Sequence, residues 1–451
     1  MTRPRARARP GRLALFEIPL AVRRLAWRQQ QDQQTAAEGG GDVPDHFLCP
    51  ISLEMMRDPV TAPTGITYDR DGIEGWLELG RGACPVTGRP LRAEELVPNH
   101  ATRRMIQEWC VANRAFGVER VPTPRVPVSG ADAREVFEAV AAAARRGDGV
   151  ACGKMVARAR ALGKESERNR RCFAAAGAAR ALAFAFSRLV AASDQAETRA
   201  LEEILAALVV FFPLDEESRR CIASPASLDA LVKIMSHGEP VARVSAVVVL
   251  REIASSSDSQ CLEAMSKANA MYDALVKLVA KPVSPQATKA ALVTAYYLVK
   301  NVEHAASRFV DLGVVELLVE LLADADKGTT EKALAVLDSV LVTAKARDKA
   351  YAHALAVPVL AKKTMHVSDM ATEFAVSALW RLCKNSPVDG GCTAEALQVG
   401  AFQKLLLLLQ LGCEGITKER ASELLKLLNA SRDSAECIET ADFKGLKRPF
   451  T

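Results

Sequence analysis

No two cysteines in this chain are spaced Cys-x2-Cys, although it holds eleven, at positions 49, 84, 110, 152, 172, 221, 261, 383, 392, 413 and 437. Paired thiolates at that spacing are the usual start of a structural zinc site, so the absence disfavours one. An odd number of scattered thiols also argues against a disulfide framework and for a reducing compartment, the cytosol with the nucleus as a second possibility. Long apolar runs are missing too. The longest, around Leu205 to Leu214, is about half of the roughly 20 residues that a membrane-spanning helix needs, which excludes stable membrane insertion of the ordinary kind. No Walker or dinucleotide glycine motif occurs. The formal charge of +5 gives little support to nucleic-acid binding, because residues 1–28 hold eight Arg and one Glu and the rest of the chain sums to −2.

What is present is enough to build cores: 451 residues, 49% hydrophobic and 25% charged, sufficient for two or three globular domains. Residues 1–42 run from RARARPGR through a short apolar stretch to QQQDQQ and GGG, a composition that favours a disordered basic tail. Its Arg-rich beginning, with Leu13 to Trp27 able to form a basic amphipathic turn or two, leaves a targeting segment as the alternative. From 43 to 117 the texture is compact and mixed. Turn signals at Asp58-Pro59 and Pro63-Thr64-Gly65 flank short strands at Val60 and Ile66. A helix is expected after Asp69 as N-cap, with Ile73, Trp76 and Leu77 on one face and Gly80 ending it. A second is expected from Asn99, burying Met105, Ile106 and Trp109. Three prolines make 118–130 a semi-rigid linker.

From 131 to 430 the chain is rich in Ala and Leu, poor in aromatics and helical in period, and 431–451 reads as a C-terminal tail. Asp229-Ala-Leu-Val-Lys-Ile recurs as Asp273-Ala-Leu-Val-Lys-Leu, and Leu231, Leu275, Leu318 and Leu405 are anchors about 43 residues apart, the last gap being two repeats. About sixteen residues later each repeat shows a small residue followed by two apolar ones: Ala246/Leu250/Ile253, Ala291/Ala295/Leu298, Ala333/Leu337/Val340, Ala375/Leu379/Leu382 and Ala421/Leu425/Leu428. The small residue allows close helix approach and the larger pair fills the core between repeats. This predicts an all-α solenoid of armadillo or HEAT type, two or three helices per repeat. Residues 131–225 fit the register poorly, as capping repeats do.

The most specific signal lies before the solenoid. Phe47-Leu-Cys-Pro-Ile-Ser-Leu-Glu-Met-Met-Arg-Asp-Pro-Val60 is followed by Thr64-Gly-Ile-Thr-Tyr-Asp-Arg70, Ile73-Glu-Gly-Trp-Leu77, Cys84-Pro-Val-Thr87 and Leu96-Val-Pro-Asn99. These blocks resemble the U-box of ubiquitin ligases. With the helical array behind them, including Thr372-Glu-Phe-Ala-Val-Ser-Ala-Leu-Trp380 and Leu397-Gln-Val-Gly-Ala-Phe-Gln-Lys-Leu405, the whole chain resembles the plant U-box/armadillo ligases.

The resemblance implies an α+β, zinc-less RING-like fold followed by the solenoid, with no cofactor and no metal. The residues agree on the metal: Cys49, Cys84, Cys110, His46 and His100 are unpaired. Structural zinc contributes roughly 10 to 16 kcal/mol in small metallo-domains, and a core of this size rarely more than ~5 kcal/mol. The resemblance assigns the missing bracing to hydrogen bonds and ion pairs among Ser52, Glu54, Asp58, Tyr68, Arg70, Thr87 and Asn99.

It further implies that the U-box makes no covalent bond to ubiquitin. It binds a ubiquitin-charged conjugating enzyme through Ile51, Leu53 and Pro85, with Trp76 bordering that groove or packing in the core, and positions the thioester for a substrate lysine. Many members carry an arginine after the P-V-T of the second loop; here Gly88 stands there, and Arg89 is the expected substitute. The armadillo repeats would hold the protein substrate, in plant stress or immune signalling, and dimerisation through the U-box stays open. A non-catalytic armadillo scaffold is the rival. A nuclear-import groove finds only Trp380 with Asn385 to support it. A Cys84 nucleophile finds no nearby group in the sequence to lower its pKa.

Overall fold

A computed structural model describes residues 43–121, 128–192, 198–365, 367–386, 391–413 and 415–432. The basic tail, nearly all of the C-terminal tail and the middle of the linker lie outside the described residues. The chain divides into two units, the first running to Pro127 and the second holding the helical region from Val128.

In the first unit a three-stranded antiparallel sheet has the order β2-β1-β3, with β1 at Pro59–Thr61, β2 at Thr67–Asp69 and β3 at Val97–Pro98. Val60 pairs with Tyr68 and Pro98 across the central strand. The turn between β1 and β2 closes where Gly65, at φ 82, donates to the Ala62 carbonyl, a conformation that glycine adopts without penalty.

Helix α1 spans Arg70–Glu78 and α2 spans His100–Ala112. Asp69 does stand at the N-cap position of α1, yet its carboxylate makes no cap bond. Oδ1 instead accepts from the Arg57 and Asp58 amides at 2.8 Å each, so it ties strand to loop. Asn99 is a true cap, accepting from the Thr102 amide at 2.9 Å. On α2 the buried residues are Ile106 and Cys110, while Met105 is exposed and Trp109 only half-buried. The face therefore turns one residue away from the expected one, because a short helix on a small sheet buries an i, i+4 pair and no more. Val121 is buried in this core and Val118 packs against it, so the linker's first residues belong to this unit rather than to a spacer.

The second unit is a solenoid of three-helix repeats around one continuous core. In the repeat beginning at Ala305–Asp311, a corner at Gly313, φ 77, leads into Val314–Asp324, and Lys327–Val340 follows. Gly400, φ 75, makes the same corner two repeats on.

The third helices pack side by side as a ladder: α3 Gly149–Glu165, α4 Thr198–Val210, α5 Pro240–Ser255, α6 Pro285–Asn301, α7 Lys327–Val340, α8 Asp369–Lys384 and α9 Gly415–Arg432. Proline at the first position starts α5 and α6, and the Ser284, Asp326 and Ser368 side chains cap α6, α7 and α8. Ala246, Ala291, Ala333, Ala375 and Ala421 are each fully buried, and the other members of their triplets are buried apart from the half-buried Leu425.

Three helices per repeat make the solenoid armadillo in type. Two sequence readings change. The skipped anchor is Leu360, buried in Ala356–Lys363, where Pro358 and two lysines hide the pattern. The register also extends upstream, since Glu167–Ala175, Ala178–Ala192 and α4 form a three-helix repeat behind a two-helix start at Gly130–Arg145 and α3.

Candidate functional site

Two six-residue segments, Cys49-Pro-Ile-Ser-Leu-Glu54 and Cys84-Pro-Val-Thr-Gly-Arg89, fold into the same loop. In the first, the Cys49 amide donates to the Glu54 carbonyl at 2.9 Å and the Leu53 amide to the Cys49 carbonyl at 2.8 Å. In the second, the Cys84 amide donates to the Arg89 carbonyl at 2.8 Å and the Gly88 amide to the Cys84 carbonyl at 2.9 Å. An isolated antiparallel bridge closes each, Leu48 with Met55 and Ala83 with Pro90. Leu53 and Gly88 are thus equivalent, and both have positive φ, 60 and 69.

Glycine holds that conformation freely, whereas a leucine loses roughly 1–2 kcal/mol. Leu53 is also 42% exposed. An apolar side chain held at a conformational cost and largely on the surface adds little to the fold that glycine would not.

Strand β2 braces both loops with successive residues. The Asp69 amide donates to the Cys49 sulfur at 3.2 Å, and the Tyr68 hydroxyl meets the Cys84 sulfur at 2.9 Å. Around Cys84 the Thr64 hydroxyl and the Thr87 amide lie at 3.5 Å. Burial pushes the Cys84 thiol up, but hydrogen bonds from Thr87, Tyr68 and Thr64 outweigh it and bring the pKa down to about 7. Tyr68 goes the other way, raised first by burial and then by its bond to Cys84. The sequence offered no group able to lower the Cys84 pKa; the fold supplies three. Cys84 is nevertheless buried at 2% exposure, so this sulfur acts as a hydrogen-bond hub rather than a nucleophile open to substrate.

A charged brace joins the two helices to the end of the first loop. Asp58 accepts from Arg70 Nε at 2.8 Å and from the Arg103 guanidinium, with all three side chains less than a quarter exposed; Arg70 also reaches Glu74 at 3.4 Å. Asn99 Nδ2 donates to Thr61 Oγ1 at 3.0 Å and reaches Thr67 Oγ1 at 3.4 Å, knitting β1, β2 and the start of α2.

Of the seven expected bracing residues, Asp58, Tyr68, Arg70 and Asn99 do this work. Ser52, Glu54 and Thr87 are exposed. Ser52 only accepts from the Glu54 amide at 3.3 Å, and Glu54 serves through its backbone, because each sits in a tight loop whose turn turns the side chain outward. Thr87 touches the network only at the Cys84 sulfur. Arg103, Thr61 and Thr67 are the braces that sequence reasoning missed. Arg103 lies one helical turn from Asn99, which is the signal that could have found it.

Among the described residues no cluster of His, Cys, Asp and Glu could hold a metal ion. Since a structural metal's binding energy is folding energy, a chelator such as EDTA is expected to leave the thermal transition of the 43–121 unit unchanged; calorimetry showing a lowered transition would contradict this bracing.

One face of α1 relates the loops to each other. A Cβ on Gly72 would lie 3.8 Å from the Ile51 side chain, and one turn on, Trp76 Nε1 donates to the Ala83 carbonyl at 2.8 Å, just before Cys84-Pro85. Residues i and i+4 are neighbours on a helix, so the two loops meet one stripe of α1 a single turn apart. Arg81 stacks over the Trp76 ring at 4.4 Å. Half-buried Ile51 and exposed Leu53 stand on the first loop, half-buried Pro85 and Val86, 45% exposed, on the second, and half-buried Trp76 on the helix face that both loops meet. Trp76 pins the second loop. Arg89, at the end of the second loop, is exposed.

A pair of loops braced by hydrogen bonds and ion pairs, ahead of a three-helix solenoid, defines the class as a U-box module joined to armadillo repeats. The U-box domain profile matches residues 43–115, and that of the plant U-box protein ARM repeat region matches 132–447. U-box domain-containing protein 21 of Arabidopsis thaliana is 36% identical over 428 residues, covering 94% of this chain and 96% of the relative. The E3 ubiquitin-protein ligase PUB23 of the same plant is 35% identical over 400 residues, 86% of this chain and 92% of its own length. A designed armadillo repeat protein in complex with the peptide (KR)4 aligns at a TM-score of 0.45 and 19% identity over 54% of this chain and 99% of its own. The chain belongs to the plant U-box ubiquitin ligases with an armadillo-repeat region.

Proposed function

We propose that this protein acts as a ubiquitin ligase by positioning. The patch of Ile51, Leu53, Trp76 and Pro85 holds a ubiquitin-charged conjugating enzyme, and the armadillo repeats hold the protein whose lysine attacks the thioester. The observation that carries this reading is Leu53, an exposed leucine kept at positive φ on the same loop as half-buried Ile51. Loops fixed by backbone and sulfur hydrogen bonds present these side chains without reorganisation, which is what positioning catalysis requires. None of the ten described cysteines is in a disulfide, which supports a reducing compartment, the cytosol or nucleus. Stress or immune signalling is the setting that the family resemblance favours.

The test is autoubiquitination in vitro with activating enzyme, a panel of conjugating enzymes and ubiquitin. Chains with at least one conjugating enzyme are expected; none from the folded protein would leave the non-catalytic scaffold. Arg89 is assigned the rim contact to the conjugating enzyme and ubiquitin, supported by its exposure next to Gly88 and by the absence of an acidic partner among the described residues. Arg89→Ala is expected to slow lysine discharge by about tenfold, the scale of one charge-assisted contact. Equal single-turnover rates for variant and wild type would remove this role.

A further inference from the structure

On the ladder helices α6 to α9, aromatic rings and cations share one surface. Tyr296 of α6 meets Phe374 of α8 edge to face at 6.3 Å, and half-buried Trp380 lies further along α8. Lys384 Nζ, Arg420 and Arg381 stand 4.6, 5.4 and 5.9 Å from the Trp380 ring centre.

Two of these cations are already neutralised. Buried Asp338 accepts from Arg381 Nε at 2.8 Å and from the Ser377 hydroxyl at 2.5 Å, and Glu423 accepts from Lys384 at 2.9 Å. Arg420 is not: among the described residues its guanidinium meets no carboxylate, only the Trp380 ring and, at 2.6 Å, the Ser377 hydroxyl. Exposed Lys300 similarly meets only Tyr296, 5.5 Å from its ring and 3.4 Å from its hydroxyl. Helices α6 to α9 carry ten basic against six acidic residues. The acid that shares this face of α8, Glu373, is two turns, ~10 Å, from Trp380.

We propose that this stretch of the solenoid recognises an extended acidic segment of the substrate, carboxylates on Arg420 and Lys300 and apolar side chains on Tyr296, Phe374 and Trp380. It rests on the reading that the repeats bind substrate, and names its chemistry. Four helices at interaxial spacings of roughly 9 Å span ~27 Å, which an extended chain covers in about eight residues. Cations against aromatic faces supply both halves of such a contact: the charges select the sign, and the rings bury apolar groups between.

The test uses the full chain and two labelled peptides of about ten residues, one alternating Glu and Leu and the other Lys and Leu, followed by fluorescence anisotropy. The Glu peptide is expected to bind, more weakly as salt rises, and the Lys peptide not to bind. Lys300→Glu and Arg420→Glu are each expected to weaken the Glu peptide at least about tenfold, with circular dichroism checking the fold. If Arg420→Glu fails to fold, Lys300→Glu decides alone. Equal binding of both peptides, no binding of either, or unchanged affinity in the folded variants overturns the proposal. Wild-type autoubiquitination run in parallel separates the failures: chains without charge-selective binding sink this inference alone, and binding without chains sinks the ligase reading alone.

Discussion

Ile51→Ala is expected to abolish most ubiquitin transfer while leaving the protein folded. Ile51 is half-buried, packed against the edge of the core beside Gly72 of α1, so its truncation removes a peripheral part of the core. As an anchor in the patch with Leu53 and Pro85 it should contribute upwards of ~2 kcal/mol to conjugating-enzyme binding, about thirtyfold in affinity. The check is chain formation at subsaturating conjugating enzyme beside the melting temperature. Wild-type activity would move the contact surface elsewhere, and a collapsed melting temperature would make Ile51 a core residue. Leu53→Gly sharpens the distinction. Glycine matches φ 60, so the fold should be no less stable, yet transfer should fall because the exposed side chain is gone.

The second large effect is on stability. Asp58→Ala removes the carboxylate shared by Arg70 and Arg103, leaving two mostly buried guanidinium groups without it; only Arg70 keeps an acid, Glu74, at 3.4 Å. Breaking a buried pair from one side costs about 3–5 kcal/mol, comparable with all that a unit of this size has to lose. At about 4–8 °C per kcal/mol for a small domain, the U-box transition should fall by at least ~12 °C in calorimetry while that of the solenoid stays. A shift of a degree or two would mean that the Cys49 and Cys84 hubs carry the brace alone.

How far these features could be read in advance depended on their range. The helical period and the small-residue slots depend on local spacing, so the triplets from Ala246 to Leu428 were readable, whereas Leu360 was not, because its helix is short and interrupted by Pro358. The residues proposed as the apolar contact were legible as motif: Ile51 and Leu53 lie in the first block and Pro85 in the fourth. The bracing was half legible. Polar residues near the loops invite assignment, but which of them turns inward is decided by loop geometry and by partners 12 to 45 residues away, as in Arg70–Asp58 and Arg103–Asp58. The equivalence of Cys49–Glu54 and Cys84–Arg89 was present in the letters, and only the shared hydrogen bonds show that Leu53 occupies a glycine's conformation.

The same geometry explains Gly88. Its positive φ belongs to the loop and would strain an arginine there as it strains Leu53, although a Cβ would meet nothing within 4 Å. On the proposed reading, a cation at Arg89 avoids that cost.

The central claim is that a metal-free U-box accelerates ubiquitin release by positioning, with no bond to the chain itself. The most direct measurement is single-turnover discharge of a ubiquitin-charged conjugating enzyme to free lysine, with and without the full-length protein, followed on non-reducing gels. Faster discharge with no ubiquitin thioester on this chain is the result predicted. An unchanged rate across a panel of conjugating enzymes, or a thioester-linked ubiquitin on Cys84, would contradict it.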